Sequence, residues 1–548
     1  MKIKRLRRRL RIFAGRLRGA GKLRTLAGSL VVAAAIAFHV TIATSLVDQQ
    51  PGDTKLYVQI ARNVLEQGVF SGEFEPPYAP TLIRTPGYPL FLAAIYEFFG
   101  IANETSVRMV QAFICTFTCL LVALIAWQWV DDRSRRAKAA WSAFILSAFC
   151  PFIVIFSPTI LTENATMFLL AATILAATFA INARKKKRSG IWWFVAGLLG
   201  GLNVTFRPDS GLFAFGIGLT LVFSVFFGRG SIRTRLIDRL WKGVVFSFAF
   251  AISLIPWTIR NEQLFGVFQP LAPSHAEMPG EFVPRGYLLW LRTWVDDSKY
   301  IDPLIWAIEE RPLKIEDVPA YAFASDEEKQ KVAELFAVYN NSDPDRPAIP
   351  PKLKTDEDVD SDDDKDNSDA SESGDSGNDD SDEWNLKISP EVDAEFAKIG
   401  EEHVARDPWH YYVWLPAKRS TSMWFDTHSD FYSFAGELFP LPDLDTDKHQ
   451  DIWLPLFATL DIVFTIFAIG GAFVLILMRK AKSWTWLFLA LAISLPRIVF
   501  FGTIENPEPR YFVELFIPAA ILSGVFLACL RFRKGKGSFG IELNYGSE

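Results

Sequence analysis

The sequence predicts an all-α polytopic membrane protein, and three observations support this fold class. Half of the 548 residues (50%) are hydrophobic, and the mean hydropathy is positive at +0.17. Apolar runs of about twenty residues, the length that crosses a bilayer, recur along the chain. Because lipid offers the backbone no hydrogen-bond partners, these runs are expected to be helices.

The apolar runs predict about ten transmembrane helices. They lie near residues 26–47, 107–130, 140–157, 163–183, 191–206, 210–227, 242–259, 452–478, 484–501 and 512–530. The first run follows 24 residues that contain eleven Lys or Arg and no acid. It is longer than the apolar core of a typical signal peptide, so we interpret it as an uncleaved helix with a cytoplasmic N-terminus.

Basic residues mark every second connection between the predicted helices. Under a count of ten spans, the clusters on one side are residues 133–138, 184–188, 229–242, 479–482 and 531–536. Cytoplasmic loops carry an excess of Lys and Arg. We therefore expect this side of the membrane, and both chain termini, to be cytoplasmic.

The span assignment divides the chain into parts. These are a basic N-terminus at 1–25, a transmembrane module at 26–259 with a first outer loop at 48–106, an external region at 260–451, C-terminal transmembrane helices at 452–530 and a cytoplasmic tail at 531–548. Within the external region, residues 356–383 contain fifteen Asp or Glu and one Lys. A segment this charged and this poor in apolar residues cannot bury a core, so we predict a disordered insert.

The first outer loop is predicted to contain two interfacial helices, near 54–67 and 88–99. In the first of them, Leu56, Ile60 and Val64 recur at helical spacing beside charged residues. This pattern is typical of a helix that lies in the membrane surface.

The cysteines do not indicate a disulfide framework or a metal site. All four lie in apolar runs and are expected to be small buried side chains: Cys115, Cys119, Cys150 and Cys529. No cofactor is indicated by the sequence, dependence on a divalent metal stays open, and we expect no nucleic-acid partner.

Charged residues gather at the predicted outer ends of the helices, where they mark a site or need a partner. Asp53 follows the first span, and Arg84, Arg207, Arg260 and Arg510 lie at the same surface. Arginines on this side run against the positive-inside rule. A phosphate group would suit them, because guanidinium N–H donors match its oxygens. The alternative is pairing with lipid headgroups or with the acids Glu163, Glu505 and Glu508.

Short motifs surround these residues in a fixed order. They are D-x-x-x-Y-x-x-x-A from Asp53 to Ala61, R-T-P-G-Y-P from Arg84 to Pro89, L-T-E from Leu161 to Glu163, G-L…R-P from Gly201 to Pro208, P-W-x-x-R-N from Pro256 to Asn261, and R-Y at Arg510 and Tyr511. The order of these motifs, and the side of the membrane on which they are expected to lie, resemble those of the GT-C glycosyltransferases. Within this family the set resembles the bacterial members related to protein O-mannosyltransferases and to the aminoarabinose transferase of lipid A. The resemblance covers residues 26–270 and 450–530, and Thr54 stands where many relatives have a second acid.

The resemblance implies a GT-C-like bundle and an inverting glycosyltransferase that uses a polyprenyl-phosphate sugar. In this reading Asp53 is the general base, and the four arginines named above hold the donor phosphate. Tyr57, Glu163 and Tyr511 would support them. The implied partners are the bilayer, the lipid-linked donor and an acceptor that is a protein, a lipid or a glycan. The implied location is the bacterial inner membrane, with the reaction on its extracytoplasmic face.

Three other functions stay open at this point. A transporter would show repeated halves and charges near the bilayer midplane, whereas the charges here lie at helix ends. A surface-polysaccharide polymerase or ligase also uses lipid-linked sugars but has a different order of motifs. A non-catalytic scaffold would only present the external region.

Overall fold

A computed structural model describes residues 22–45, 52–226, 231–275, 277–343, 385–425, 454–535 and 538–543. The predicted insert at 356–383 lies outside them. Within the described residues the chain is helical, apart from a two-stranded antiparallel hairpin near its end. The predicted fold class, an all-α polytopic membrane protein, is confirmed.

The α-helices of the first half are α1 (Lys22–Ser45), α2 (Gly52–Glu66), α3 (Gly87–Phe99), α4 (Glu104–Trp129), α5 (Arg133–Ala148), α6 (Pro151–Val154), α7 (Glu163–Asn182), α8 (Lys186–Phe206), α9 (Gly211–Phe223) and α10 (Ile232–Phe265). Those that follow are α11 (Arg285–Arg292), α12 (Asp326–Asn340), α13 (Pro390–Arg406), α14 (Leu415–Phe425), α15 (Leu454–Leu477), α16 (Ala481–Gly502) and α17 (Phe516–Cys529). The hairpin pairs β1 (Leu530–Gly535) with β2 (Ser538–Leu543). Short 3₁₀ or π segments lie at Pro208–Ser210, Ser298–Tyr300, Asp302–Trp306, Ile315–Asp317, Ala320–Ala322, His410–Trp414 and Pro509–Leu515.

Among the described residues, eight helices are long and apolar enough to cross a membrane; the last of them, Pro509–Cys529, joins the 3₁₀ segment Pro509–Leu515 to α17. The chain is therefore an integral membrane protein. Two of the ten predicted spans correspond to shorter helices, α5 with 16 residues and α9 with 13. In contrast, α10 has 34 residues and extends beyond the predicted apolar run at both ends. The predicted interfacial segments do form helices, α2 and α3, although their position relative to a membrane stays a prediction.

The chain divides into two compact units. The first comprises Met1–Glu281, Phe425–Ile498 and Arg510–Glu548, and it contains the candidate spanning helices. Glycines allow its helices to approach closely. A Cβ at Gly201 would meet the carbonyl oxygen of Phe250, and one at Gly197 would meet that of Phe246. This small-xxx-small spacing lets α8 and α10 pack backbone to backbone, as is common between membrane helices.

The basic connections predicted to share one side lie at one end of this bundle. Lys482 of α16 is 3.3 Å from Asp131 at the end of α4, and Lys138 of α5 donates to the carbonyl of Leu530 at 2.8 Å. Arg239 and Lys242, from α10, line one small cavity together with the ends of α7, α9 and α16. The grouping agrees with the sequence pattern, while the assignment of this end to the cytoplasm stays a prediction.

The second unit comprises Phe282–Trp424 and Val499–Pro509, a narrower range than the predicted external region at 260–451. Its core is aromatic, with Tyr287, Trp290, Phe336 and Phe396 almost fully buried against one another. Gly286 brings α11 against α13, because a Cβ there would meet the carbonyl oxygen of Asp393. The unit thus has a core of its own.

Candidate active site

Asp53 lies in the first turn of α2 and is held by two arginines from distant parts of the chain. Arg84 donates from Nη2 to Oδ1 at 2.7 Å, and Arg510 lies with Nη1 3.4 Å from Oδ2. The side chain of Asp53 is 29% exposed, so the group is partly open to solvent. The structure therefore brings together three of the residues singled out in the sequence, at the end of the bundle that does not carry the basic connections.

The charge state of Asp53 is set by this pairing. Burial alone raises the pKa of its carboxyl group. The guanidinium groups of Arg510 and Arg84 outweigh that effect and hold the pKa below its ordinary value of 3.8. Asp53 is therefore an ionised carboxylate throughout the neutral pH range.

Tyr57 lies one turn after Asp53 and supports the arginine pair. The guanidinium of Arg84 is 5.9 Å from the centroid of its ring, within the range of a cation–π contact. On its other side Tyr57 packs edge-on against Tyr88, with centroids 5.1 Å apart. Burial, and then the charge of Asp53, raise the pKa of Tyr57 to about 12, so its hydroxyl stays protonated.

The R-T-P-G-Y-P turn fixes Arg84 by packing on the end of α8. Thr85 donates from Oγ1 to the carbonyl of Phe206 at 3.3 Å. A Cβ at Gly87 would lie 2.6 Å from the carbonyl oxygen of Thr205 and 2.5 Å from the ring of Phe206, so glycine is required for this approach. The turn therefore brings Arg84 close to the chain that carries Arg207.

Arg207 is in an ion-pair network next to the first cluster. Its Nη1 donates to Oε1 of Glu163 at 2.6 Å, and its Nε lies 3.0 Å from Oδ2 of Asp209. Burial lowers the pKa of Arg207, but Asp209, Glu514 and Glu163 outweigh it and raise that pKa further above its ordinary value. Arg207 is thus a fixed cation with carboxylate partners, and the structure does not place it in contact with Asp53.

Sequence reasoning names Glu163 but misses two further acids of this network, Asp209 and Glu514, and gives no role to its second cation, Arg497. Arg497 is fully buried and donates from Nη2 to Oδ2 of Asp209 and to Oε2 of Glu514, both at 3.0 Å. Two signals were available. Asp209 follows the R-P motif directly, and Glu514 is an isolated acid in an apolar run, which is itself unusual.

Tyr511 connects the two clusters. The guanidinium of Arg207 is 5.3 Å from the centroid of its ring, and that of Arg510 is 5.7 Å from it. Both distances allow cation–π contacts. The R-Y motif thus supplies a cation to Asp53 and an aromatic surface to Arg207.

Thr54, the residue after Asp53, has a structural role. It is fully buried and donates from Oγ1 to the carbonyl of Ile160 at 3.3 Å. The segment before Glu163 is also held by Gln111 of α4, which donates to the carbonyls of Ser157 and Thr159 at 3.1 and 2.7 Å. These bonds fix the start of α7, where Glu163 lies.

Arg260 lies apart from Asp53, in an apolar groove of about 930 Å³. Its Nη1 donates to the carbonyl of Thr81 at 2.9 Å, and its guanidinium is 4.6 Å from the ring centroid of Trp257. Among the residues that line the groove are Phe70, Pro86, Phe91, Phe206, Trp257 and Leu264. The groove therefore passes beside the neighbours in sequence of Arg84 and Arg207.

The predicted burial of all four cysteines is confirmed. Among the described residues, one group of possible metal ligands converges, formed by His39, Cys115 and Cys119 within 4.8 Å. His39 already has partners for both ring nitrogens, since Nδ1 is 2.8 Å from Oγ1 of Thr116 and Nε2 is 2.8 Å from the carbonyl of Ala148. These bonds give His39 a structural role between helices.

Residues 83–257 match the family model described as dolichyl-phosphate-mannose-protein mannosyltransferase. The match confirms the resemblance to the GT-C glycosyltransferases. It covers about a third of the chain and includes Arg84, Glu163 and Arg207, whereas Asp53, Arg260 and Arg510 lie outside it. A comparison with curated proteins found no match.

Two solved protein structures are also similar to this chain. Archaeal oligosaccharyltransferase AglB from Archaeoglobus fulgidus, in complex with an inhibitory peptide and a dolichol-phosphate, is 13% identical; the alignment covers 92% of this chain and 50% of that chain, with a TM-score of 0.47. ArnT from Cupriavidus metallidurans, bound to undecaprenyl phosphate, is 12% identical; the alignment covers 92% and 78%, with a TM-score of 0.37. The chain thus spans about half the length of the oligosaccharyltransferase. Residue assignments for this chain therefore depend on its own geometry.

Proposed function

We propose that the protein is a membrane glycosyltransferase that moves a sugar from a polyprenyl-phosphate donor to an acceptor on the extracytoplasmic face. The observation that carries the proposal is the placement of Asp53 between Arg84 and Arg510. It joins a carboxylate that can accept a proton to two cations that can hold a phosphate. The family match over residues 83–257 supports the same class of reaction.

The donor phosphate can bind at this site by replacing Asp53 as the hydrogen-bond partner of Arg84 and Arg510. Asp53 occupies guanidinium N–H groups that phosphate oxygens would also accept. The Nε of Arg84 is buried and has no hydrogen-bond partner among the described residues, so Arg84 has donor capacity left. A phosphate bound by Arg84 and Arg510 would weaken their hold on Asp53. The carboxylate would then become more basic when the donor arrives.

The reaction follows from this arrangement. An acceptor hydroxyl oxygen attacks the anomeric carbon of the donor sugar from the face opposite the phosphate. The bond between that carbon and the phosphate oxygen breaks, and the polyprenyl phosphate leaves with the bonding electron pair. Asp53 accepts the hydroxyl proton as general base, and Arg84 and Arg510 stabilise the negative charge that develops on the leaving phosphate. The anomeric configuration is inverted.

The apolar groove beside Arg260 suits the lipid chain of the donor. Aromatic and aliphatic side chains line it, and Pro86 and Gly87 at its wall belong to the same turn as Arg84. We assign Arg260 to the headgroup end of the lipid rather than to the reacting phosphate, because it does not contact Asp53. Arg207 has carboxylate partners of its own, so we assign it a positioning role beside Tyr511.

The test is transfer of radiolabelled sugar from polyprenyl-phosphate donors to a membrane extract, with wild type beside Asp53→Asn. Loss of a general base lowers the rate by about 10²- to 10⁴-fold. The control is Glu66→Gln, which removes a half-exposed carboxylate from the same helix and should leave transfer unchanged. Unchanged transfer by Asp53→Asn would remove the base assignment.

The same assay separates the other functions. Transfer of a preassembled oligosaccharide rather than one sugar would favour a polymerase or ligase. Movement of intact substrate into proteoliposomes without a new glycosidic bond would favour a transporter. A folded, membrane-inserted protein that forms no glycosidic bond from any donor would favour a scaffold.

A further inference from the structure

The second unit contains a cleft of about 370 Å³ that the proposed transfer reaction does not use. All its lining residues lie between Thr293 and Lys418, so the cleft belongs to this unit alone. It combines aromatic surfaces with several polar groups. A concave site with a few convergent polar side chains is the usual form of a small-ligand site.

The polar groups on one side of the cleft are fixed by hydrogen bonds. Asp296 is 6% exposed, and its Oδ1 accepts from the hydroxyl of Tyr321 at 3.0 Å. The ammonium of Lys418 pairs with Oδ2 of the same carboxylate. The hydroxyl of Tyr321 also lies 3.0 Å from that of Tyr300. The cleft thus presents a carboxylate, a phenol and an ammonium in a set arrangement.

A second fixed polar group faces the cleft from α13. His403 lies with Nδ1 3.0 Å from Oγ1 of Thr293 and with Nε2 2.7 Å from Oε1 of Glu328. Arg406, one turn later, lines the same cleft and has Nη2 4.0 Å from Oε2 of Glu328. His403 is therefore held in one orientation before any ligand arrives, and Arg406 adds a more exposed cation beside it.

Aromatic side chains form an open part of the cleft. Trp414 and Tyr321 both line it, and each is 58% exposed. Trp414 ends the π-helical turn His410–Trp414, which also brings His410 and Tyr411 to the cleft. Isolated π turns are rare and occur often at functional sites. These two large exposed aromatic groups provide flat apolar surfaces beside hydrogen-bonding groups.

The charges in the cleft are balanced within the unit. Among the side chains that line the cleft, the carboxylates of Asp296 and Asp407 carry two negative charges, and Arg406 and Lys418 carry two positive ones. A strongly anionic or cationic ligand would find no excess of the opposite charge. A sugar has hydroxyl groups that both donate and accept hydrogen bonds, and its C–H faces pack on aromatic rings. We infer that this cleft binds a neutral carbohydrate, with Trp414 and Tyr321 as its stacking surfaces.

The test is binding of neutral hexasaccharides of glucose, mannose and N-acetylglucosamine to the full chain in lipid nanodiscs, measured by calorimetry and by saturation-transfer NMR. We expect at least one to bind with a Kd on the order of 1 mM or tighter. Loss of an aromatic stacking surface in Trp414→Ala should weaken it about tenfold. Because no net charge is involved, the affinity should be nearly the same at low and at high salt.

The matched control is Trp409→Ala, which removes a tryptophan that is 70% exposed and does not line the cleft. It should bind like wild type. The inference would be overturned if none of the three hexasaccharides binds, if Trp414→Ala and Trp409→Ala bind equally, or if an acidic hexasaccharide or a peptide binds more tightly than the neutral sugars. Binding to Asp53→Asn should equal that to wild type, so failure of the transfer proposal and failure of this one are distinguishable.

Discussion

At the scale of single residues, the pKa of Asp53 is expected to differ between the free enzyme and its complex with the donor, and pH-dependent kinetics can measure this difference. In the free protein the two guanidinium groups hold its pKa below 3.8. We therefore expect kcat/KM, which reports the free enzyme, to show no acid limb above about pH 4. If the donor phosphate takes Arg84 and Arg510, the pKa of Asp53 rises in the complex. The acid limb of kcat should then lie at higher pH than that of kcat/KM.

The measurement is transfer rate against pH at saturating and at limiting donor. Coincident acid limbs would mean that Asp53 keeps its arginines when the donor binds, and the exchange of partners would be wrong. The lowered pKa of Asp53 also makes the stability of the native state depend on pH. A depressed carboxyl pKa stabilises the native state above the unfolded value, and this contribution is lost as pH falls through the folded pKa. Stability must therefore be recorded at each pH beside the rate.

The buried network around Arg207 gives a second prediction at the residue scale. Among the described residues it contains the carboxylates of Glu163, Asp209 and Glu514 but only the cations Arg207 and Arg497. Removing a cation by Arg497→Gln leaves three acids against one arginine and should cost about 3–5 kcal/mol of stability. Glu514→Gln leaves two acids against two arginines and should cost less.

Apparent Tm values of both variants, measured on purified protein in the same detergent, test this order. A Glu514→Gln variant that melts below Arg497→Gln would contradict the charge balance. Circular dichroism of each variant at low temperature would establish that the starting states are equally helical.

At the scale of elements, the contact between α3 and α8 positions the site. Gly87→Ala would place a methyl group against the carbonyl of Thr205 and the ring of Phe206. Overpacking of this kind costs about 1–3 kcal/mol, and the shift of α3 should also displace Arg84 and reduce transfer. The control is Gly190→Ala in α8, where nothing lies within 4 Å of the added carbon. The control should melt no lower than wild type. Equal Tm and activity for the two variants would exclude a packing role for Gly87.

The sequence predicts the spanning elements better than their ends. Hydropathy detects the apolar part of a helix, but backbone hydrogen bonding continues into charged residues, and α10 therefore runs from Ile232 to Phe265 instead of 242–259. Asp53, Arg84 and Arg510 were placed on one surface by topology. Their direct contacts could not be predicted, because they join residues 31 and 457 positions apart and depend on packing.

At the scale of the whole molecule, the acidic insert is expected to be dispensable for folding. Residues 356–383 fall between two described residues that are close in space, since the N–H of Asn385 donates to Oδ2 of Asp343 at 2.9 Å. The N–H of Lys387 likewise donates to Oγ of Ser342 at 2.8 Å. The remaining connection could therefore close without strain. Closing a shorter loop also costs less conformational entropy, and the free-energy cost falls by about 0.6 kcal/mol for each halving of the loop length.

Deletion of 356–383 should consequently leave the apparent Tm of the purified protein unchanged or slightly higher. A second variant keeps the length and replaces every Asp and Glu of the insert by Asn and Gln, which separates charge from chain length. If deletion lowers the Tm by several degrees while the neutral variant does not, the insert has a structural role that its composition does not predict. If both variants lose stability, the negative charge itself stabilises the fold. Unchanged Tm in both would leave the cores of the two compact units as the source of stability.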